Sequence, residues 1–143
     1  MKLVVSTPLE IVVRDDAVAH VRAEDASGAF GILPGHADFL TALSVSVLSW
    51  RDQRGRERHV ALRGGVLEVR EGERVEVASR EAVAGDDLRR LQDEVLRRFR
   101  SRQETEQSAR SDAQRLYLAA IRQIYSYLRG TPPPAVPRVG DES

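Results

Sequence analysis

The hydrophobic pattern of this chain changes its period near Gly85. Before Gly85, apolar and polar residues alternate in short runs, interrupted by turn residues about every eight to twelve positions, as in a β-sandwich or barrel. After Gly85, apolar residues recur at steps of three and four, as on one face of a helix. One type of secondary structure cannot satisfy both periods. The sequence therefore predicts a β-domain over residues 1–83 and a helical part over residues 84–130.

The helical part contains two apolar stripes separated by a polar segment. Asp86 or Asp87 is placed to cap the first helix, and Gly130 is placed to end the second. The first stripe consists of Leu88, Leu91, Val95, Leu96 and Phe99, and the second of Ala113, Leu116, Tyr117, Ala120, Ile121, Ile124, Tyr127 and Leu128. We expect residues 103–110 to form a turn or a frayed helix end, so that the stripes bury each other in an antiparallel helical hairpin.

The pair Pro34-Gly35 predicts a tight turn between two apolar segments. Proline fixes φ at the second position of a type II turn and glycine accepts the positive φ of the third, which leaves His36 at the exit. We expect the apolar neighbours of the turn to anchor it in the core, namely Ile32, Leu33, Phe39, Leu40 and Leu43. A rigid turn of this kind presents its backbone and one imidazole to a partner, but a lone Pro-Gly pair is more often just a corner of a sheet.

Two adjacent glycines, Gly64 and Gly65, interrupt the β pattern. Glycines inside a strand indicate a bulge or a close approach of another backbone. We therefore expect them to have a structural role.

Composition narrows the class of protein. The chain has 22 basic and 22 acidic residues and 41% apolar residues, as in an ordinary globular domain, and its balanced charge points to neither nucleic acid nor membrane. The absence of cysteine excludes disulfides, thiolate metal sites and a cysteine nucleophile. The first residues lack a leader pattern, and no apolar run approaches the ~20 residues of a spanning helix, so we expect a cytosol-facing protein. Residues 131–143 are proline-rich and polar and predict a disordered tail.

Charge is distributed unevenly along the chain. Residues 86–130 carry ten basic and seven acidic side chains, whereas residues 1–85 carry eleven and thirteen. A basic helical part favours a partner with an acidic surface, or docking within the chain. It also leaves an alternative open, a basic-helix nucleic-acid-binding or scaffold module, although aromatic platforms and a strong positive balance are missing.

An enzymatic function has little support in the sequence. The three histidines, His20, His36 and His59, stand on separate segments, without the spacing of metal ligands or of a nucleophile and its base. The glycines at Gly28 and Gly31 are followed neither by a helix N-terminus nor by a lysine, so phosphate binding is weakly indicated. We expect no catalytic residue, no metal and no cofactor.

Several motifs in a fixed order resemble those of one known family. The motifs are Gly31-Ile32-Leu33-Pro34-Gly35-His36, then Arg63-Gly64-Gly65-Val66-Leu67-Glu68-Val69, then Glu81-Ala82 just before the helical part. Their order, their spacing and the change of period resemble the epsilon subunit of the bacterial F-type ATP synthase. The resemblance covers the chain from its first residue to about residue 129.

The resemblance implies a flattened N-terminal β-sandwich of about ten short strands followed by a C-terminal antiparallel helical hairpin. It implies a non-catalytic rotor subunit of the central stalk that couples the gamma subunit to the c-ring during ion-driven ATP synthesis. The loop implied to contact the c-ring and gamma consists of Ala29, Phe30, Gly31, Ile32, Pro34, Gly35 and His36. Such a subunit reaches the membrane only through the c-ring, at the cytoplasmic face of the bacterial plasma membrane.

The resemblance also implies a regulatory role for the helices. In the family they lie folded on the sandwich or extend along gamma into the catalytic alpha/beta head, where they block ATP hydrolysis. The basic side chains implied to contact acidic surface on the head are Arg89, Arg90, Arg97, Arg98, Arg100 and Arg102.

The sequence departs from the family pattern at two places. Many relatives have an acidic residue where this chain has Ala29, so one polar contact to the c-ring is absent or replaced. Some relatives bind ATP through a Leu/Ile-Asp-x-x-Arg-Ala motif at the start of the first helix. Aligned on Leu88, this chain keeps the leucine but lacks the aspartate and the Arg-Ala pair, so we expect the isolated protein not to bind ATP tightly.

Overall fold

A computed structural model describes residues 1–130. The expected proline-rich tail, residues 131–143, lies outside the described residues. The chain divides into two compact units, Met1–Ser101 and the part from Arg102 onward. Each unit is described by itself.

Eight strands form within the described residues. They are β1 (Lys2–Ser6), β2 (Ile11–Asp15), β3 (Val18–Asp25), β4 (Gly28–Ile32), β5 (Phe39–Asp52), β6 (Glu57–Arg70), β7 (Arg74–Ala78) and β8 (Ala82–Gly85). They follow the order β2-β1-β7-β6-β5-β3-β4, and β8 pairs with β6 outside this path. The fold is thus the expected β-sandwich. The expectation of about ten short strands is corrected to eight, because β5 and β6 are each one continuous strand of 14 residues.

The long strands β5 and β6 belong to both layers of the sandwich. The second half of β6 pairs with β7, which continues to β1 and β2 and forms the first layer. The first half of β6 pairs with β8, and the second half of β5 pairs with β3, which forms the second layer. Buried side chains from both layers, including Leu3, Val21, Leu62 and Val75, make one hydrophobic core.

The inward-facing side of the long strands changes along their length. On β6, Val60 and Leu62 are buried in the core at one end, whereas Leu67 and Val69 are buried at the other, so the buried positions change from even to odd. Gly64 and Gly65 lie at this change, with φ of 69° and 124°. A side chain at Gly65 would place its Cβ 2.2 Å from the carbonyl oxygen of Ala78. The prediction of a close backbone approach is therefore confirmed for Gly65.

The helical part begins as expected and then departs from the expected hairpin. Asp87 caps the first turn, α1 (Leu88–Arg90), by accepting a hydrogen bond from the Arg90 amide at 3.2 Å. A π-helical turn (Leu91–Val95) follows, and then the 33-residue α2 (Leu96–Leu128). Residues 103–110 are helical. They contain no glycine or proline and consist largely of Gln, Glu, Ala and Arg, which favour helix, so the sequence supplies nothing that would break it.

The first apolar stripe packs against the sandwich. Leu91, Val95, Leu96 and Phe99 are buried and contact Ala61, with Val45, Val47 and Val83 at the margin. These partners lie on the outer face of the second layer, so that face is covered by helix within Met1–Ser101. The expectation that residues 103–110 break the helical part into a hairpin is wrong for this structure, because α2 runs through them without interruption. In the second unit, large side chains of the second stripe stay exposed, among them Leu116 at 54% and Ile124 at 61%.

Candidate protein interface at one end of the β-sandwich

The segment between β4 and β5 forms the predicted tight turn. The amide of His36 donates to the carbonyl of Leu33 at 3.1 Å, and Gly35 has a φ of 89°. A type II turn has a hydrogen bond between its first and fourth residues, here Leu33 and His36. It also needs a positive φ at its third residue, here Gly35. The turn prediction is therefore confirmed, with His36 at the exit.

A second turn, between β6 and β7, holds the first one in place. The amide of Gly35 donates to the carbonyl of Gly72 at 2.8 Å, and the amide of Glu71 donates to Oδ1 of Asp38 at 2.9 Å. A Cβ on Gly72 would lie 2.7 Å from the Cα of Gly35, so the two backbones touch where neither residue has a side chain. The two turns form one stiff end of the sandwich, because each supplies backbone hydrogen bonds to the other.

Large apolar side chains stand exposed at this end. Their exposed fractions are 58% for Leu33, 36% for Phe39, 66% for Leu40 and 47% for Val66, and we call these four residues the tip surface. Leu40 and Val66 share one face of the sheet, since Val66 lies opposite Ala42 on the neighbouring strand. Exposed apolar side chains grouped on a rigid element are typical of protein contact sites.

Aromatic contacts around Phe39 hold the side chains of Phe30 and His36 in the tip. The rings of Phe30 and Phe39 meet edge to face with centroids 5.6 Å apart, and the His36 ring lies 5.8 Å from Phe39. Nδ1 of His36 lies 2.7 Å from the carbonyl oxygen of Ala37. A carbonyl oxygen only accepts, so Nδ1 carries the proton and donates. These contacts fix the His36 ring against Phe39.

The residues predicted for the contact loop differ in exposure. Ala29, Gly31, Pro34 and Gly35 are exposed, and Phe30 and His36 are half-buried. Ile32 is fully buried in the core and supports the loop from inside. Gly31 has a steric role as well, because a Cβ there would lie 3.0 Å from Nε2 of His20.

The exposure of Leu33 and Leu40 was missed by the sequence reasoning, which expected them, with Phe39, in the core. Ile32 and Leu43 are buried as expected. The exposure of Leu40 could have been predicted from the alternation along β5. Side chains of a strand alternate between its two faces, and Leu40 is an odd number of positions from the buried Leu43, so it points to the opposite face.

The basic side chains predicted for regulation are exposed. All six are at the surface, namely Arg89, Arg90, Arg97, Arg98, Arg100 and Arg102. Arg90 pairs with Glu94 at 3.4 Å across the π turn, and this pair is largely solvated. The structure brings five of them together on residues 88–101, and Arg102 belongs to the second unit.

The three histidines do not come together. His20 lies over Gly31, His36 lies in the tip, and Nδ1 of the buried His59 lies 2.6 Å from Oγ of Ser49 on the paired strand. A Ser–His pair needs a third group that orients the imidazole in order to act as a nucleophile and base. Ser49 and His59 are register partners on β5 and β6, so this pair is a cross-strand contact. Within residues 1–130 no three His, Cys, Asp or Glu side chains are grouped as a metal ion would need.

One carboxylate near the tip has a shifted pKa. Hydrogen bonds from Ser27, and then from the Thr41 hydroxyl at 2.8 Å, lower the pKa of Asp25. These donors favour the ionised form because they bond to the carboxylate oxygens. Asp25 thereby ties the β3–β4 turn to β5 at neutral pH.

Among the helices formed by residues 1–130, none has the length and hydrophobicity needed to cross a membrane.

Comparison with known proteins identifies the family. The family described as ATP synthase, Delta/Epsilon chain, beta-sandwich domain matches residues 1–85. An ATP synthase epsilon chain 2 from Paraburkholderia xenovorans is 43% identical over 129 residues, which are 90% of this chain and 93% of that protein. Another from Cereibacter sphaeroides is 42% identical over 92% of this chain and 90% of its own.

Solved structures show the same fold at lower identity. A chain in an OSCP/F1/c-ring assembly of the Euglena gracilis mitochondrial ATP synthase superposes with a TM-score of 0.55 and 21% identity over 78% of this chain. This protein spans 64% of that longer chain. The family match over the sandwich and the two relatives, which match over nearly their full length, indicate the same family. The chain therefore belongs to the ATP synthase epsilon chain family.

Proposed function

We propose that this protein is a non-catalytic central-stalk subunit of a rotary F-type ATP synthase, which joins the gamma subunit to the c-ring during ion-driven ATP synthesis. Family membership supports the complex, and the stiff apolar tip of the sandwich supports the contact. A part that transmits torque must not yield under load. The two turns meet that need because they are joined by the backbone hydrogen bond from Gly35 to Gly72 and by the bond from the Glu71 amide to the Asp38 carboxylate. The protein would act at the cytoplasmic face of the bacterial plasma membrane, reaching the membrane through the c-ring.

The observation that carries the proposal is the exposure of Leu33 and Leu40 on this rigid end. In the free protein these side chains contact water, and burial against a partner removes that contact at a gain of about 25 cal/mol per Å² of apolar surface. The predicted contact loop, residues 29–32 and 34–36, flanks Leu33 in the sequence, and all of it except the buried Ile32 is at least partly exposed. We assign the tip surface and this loop to the c-ring and gamma interface.

A double variant, Leu33→Asp with Leu40→Asp, tests the assignment. Both positions are exposed, so the variant should fold, but two carboxylates in the interface would oppose binding. We expect the variant to lose co-purification with gamma and the c-ring in a reconstituted complex. The matched control is Leu9→Asp, because Leu9 is 95% exposed and lies beyond the far end of β1 from the tip. Assembly of the double variant at the level of the control would refute the assignment.

The helical part is proposed to inhibit ATP hydrolysis through its exposed arginines. Arg89, Arg97 and Arg100 are exposed and would pair with acidic surface of the alpha/beta head, whereas in the free protein they are solvated. The test compares the ATPase rate of the catalytic complex with the full-length protein, with a variant in which Arg89, Arg97 and Arg100 are replaced by alanine, and with none. All three positions are exposed, so the variant should fold. Inhibition by the unaltered protein that is relieved in the variant supports the proposal, and equal inhibition by both proteins would refute it.

A further inference from the structure

The helix that leaves the sandwich contains a π-helical turn directly after α1. Leu91 and Leu96 stand five residues apart, yet they are only 3% and 5% exposed. In an α-helix, residues five apart point about 140° away from each other. In this turn the amide of Leu96 donates to the carbonyl of Leu91, which is the longer π-helical bond and brings both side chains to the same side. The π turn is therefore what allows Leu96 to reach the sheet.

An α-helical version of the same segment would present different residues to the sheet. If Leu91 stayed in place, losing the π turn would rotate the following residues by about one position, roughly 100°. Val95 would then take the place of Leu96, and Arg98, seven residues after Leu91, would take the place of Phe99. The sheet surface at this point is apolar, formed by Ala61, Val45 and Val47. A guanidinium pressed against it would lose water without gaining a partner, so the α-helical form should not dock.

Space for such a rotation exists on both sides of the helix start. A cavity of about 500 Å³ lies on one side, lined by Leu88, Gln92 and Leu96 of the helical segment. A second cavity of about 280 Å³ lies on the other side, lined by Arg90, Glu94 and Arg98. Close packing normally prevents a buried helix from turning about its axis. Here the buried stripe is flanked by open volume instead.

We propose that Leu91–Val95 is a register latch, in which the π form holds residues 88–101 against the sheet and the α form releases them. The π form buries Leu96 but lacks regular α-helical hydrogen bonds in this turn. The α form has those hydrogen bonds but does not bury Leu96. A balance of this kind is bistable, since the intermediate rotations satisfy neither set of contacts. The regulatory consequence rests on the proposed function, in which the helical part acts on the catalytic head.

Deletion of Gln92 tests the latch. Gln92 is exposed, and its loss places Leu91, Val95, Leu96 and Phe99 at the i, i+3, i+4 and i+7 positions of a regular α-helix. The docked contacts are then kept without a π turn. We expect amide hydrogen exchange in residues 91–101 of the full-length protein to slow by at least threefold. The matched control deletes Gln107, an exposed residue of α2 outside Met1–Ser101, and should exchange like the unaltered protein.

Exchange in β5 and β6 reports in the same experiment whether the sandwich is intact. If the Gln92 deletion exchanges at the unaltered rate or faster while β5 and β6 stay protected, the latch is refuted. A second variant, Leu96→Ala, removes the side chain that the π turn buries, and residues 91–101 should exchange faster. Unchanged exchange in this variant would also refute the latch.

The regulatory consequence has a separate readout in the assembled catalytic complex. A helix held on the sandwich should inhibit less, so the Gln92 deletion should hydrolyse ATP faster than the Gln107 deletion. If exchange slows as expected but the two complexes hydrolyse ATP equally, the latch stands and the braking role is refuted.

Discussion

Substitution of Gly72 by alanine should lower the free energy of unfolding more than the same substitution at the neighbouring Gly35. Gly72 has a φ of 64°, and its added Cβ would lie 2.7 Å from the Cα of Gly35. The positive φ costs about 1–2 kcal/mol for a residue with a Cβ. The two backbones must also separate by several tenths of an ångström, which stretches the 2.8 Å hydrogen bond from Gly35 to Gly72, worth about 1 kcal/mol. We expect a total loss of about 2–3 kcal/mol in the free energy of unfolding.

The matched control is Gly35→Ala. Gly35 also has a positive φ, 89°, but nothing lies within 4 Å of its added Cβ, so only the cost of about 1–2 kcal/mol for the backbone applies. Urea unfolding followed by the fluorescence of Trp50 measures both variants, because Trp50 is the single tryptophan and is 2% exposed. Equal destabilisation of the two variants, within about 0.5 kcal/mol, would refute the argument that the turns support each other.

Three further results are expected. Isothermal titration of the full-length protein with ATP should show no micromolar binding, and such binding would contradict the reading of residues 88–93. Because hydrogen bonds lower the folded pKa of Asp25, its stabilising effect should be complete above the unfolded value of 3.8 and lost as the pH falls through the folded pKa. Asp25→Asn should remove this part of the acid dependence in urea unfolding, and an unaltered dependence would contradict it. Phe99→Ala should lower the free energy of docking of the helix on the sheet by about 3 kcal/mol, because Phe99 is buried. Leu116→Ala, at an exposed position, should lower stability by less than about 1 kcal/mol. Equal hydrogen exchange in residues 91–101 of these two variants would contradict the docking.

Local chemistry made the turn, the helix start and the glycine pair predictable. Pro34 and Gly35 define their turn through backbone dihedrals alone, and the side chain of Asp87 satisfies a free amide at the helix start. Each of these features depends on residues close together in sequence. Gly65 was predictable for a related reason, since only a residue without Cβ tolerates the approach of Ala78.

Features that depend on distant contacts were not predictable from periodicity. The inward side of β5 and β6 changes because the two halves of each strand belong to different layers, and the alternation pattern does not say where a strand changes layer. Leu33 was expected in the core because it is apolar, but it is exposed in the turn between β4 and β5. The hairpin was expected because two apolar stripes need partners. The first stripe finds its partner on the sheet, and the polar segment 103–110 has no residue that breaks a helix.

The most direct test of the coupling role is ion-driven ATP synthesis by membranes that lack this subunit and are resupplied with it. The unaltered protein should restore synthesis, and so should Leu9→Asp. The Leu33→Asp and Leu40→Asp double variant should fold, as judged by its urea unfolding, and should fail to restore synthesis. Restoration by the folded double variant at the level of the unaltered protein would contradict the assignment of the tip surface to the rotor interface.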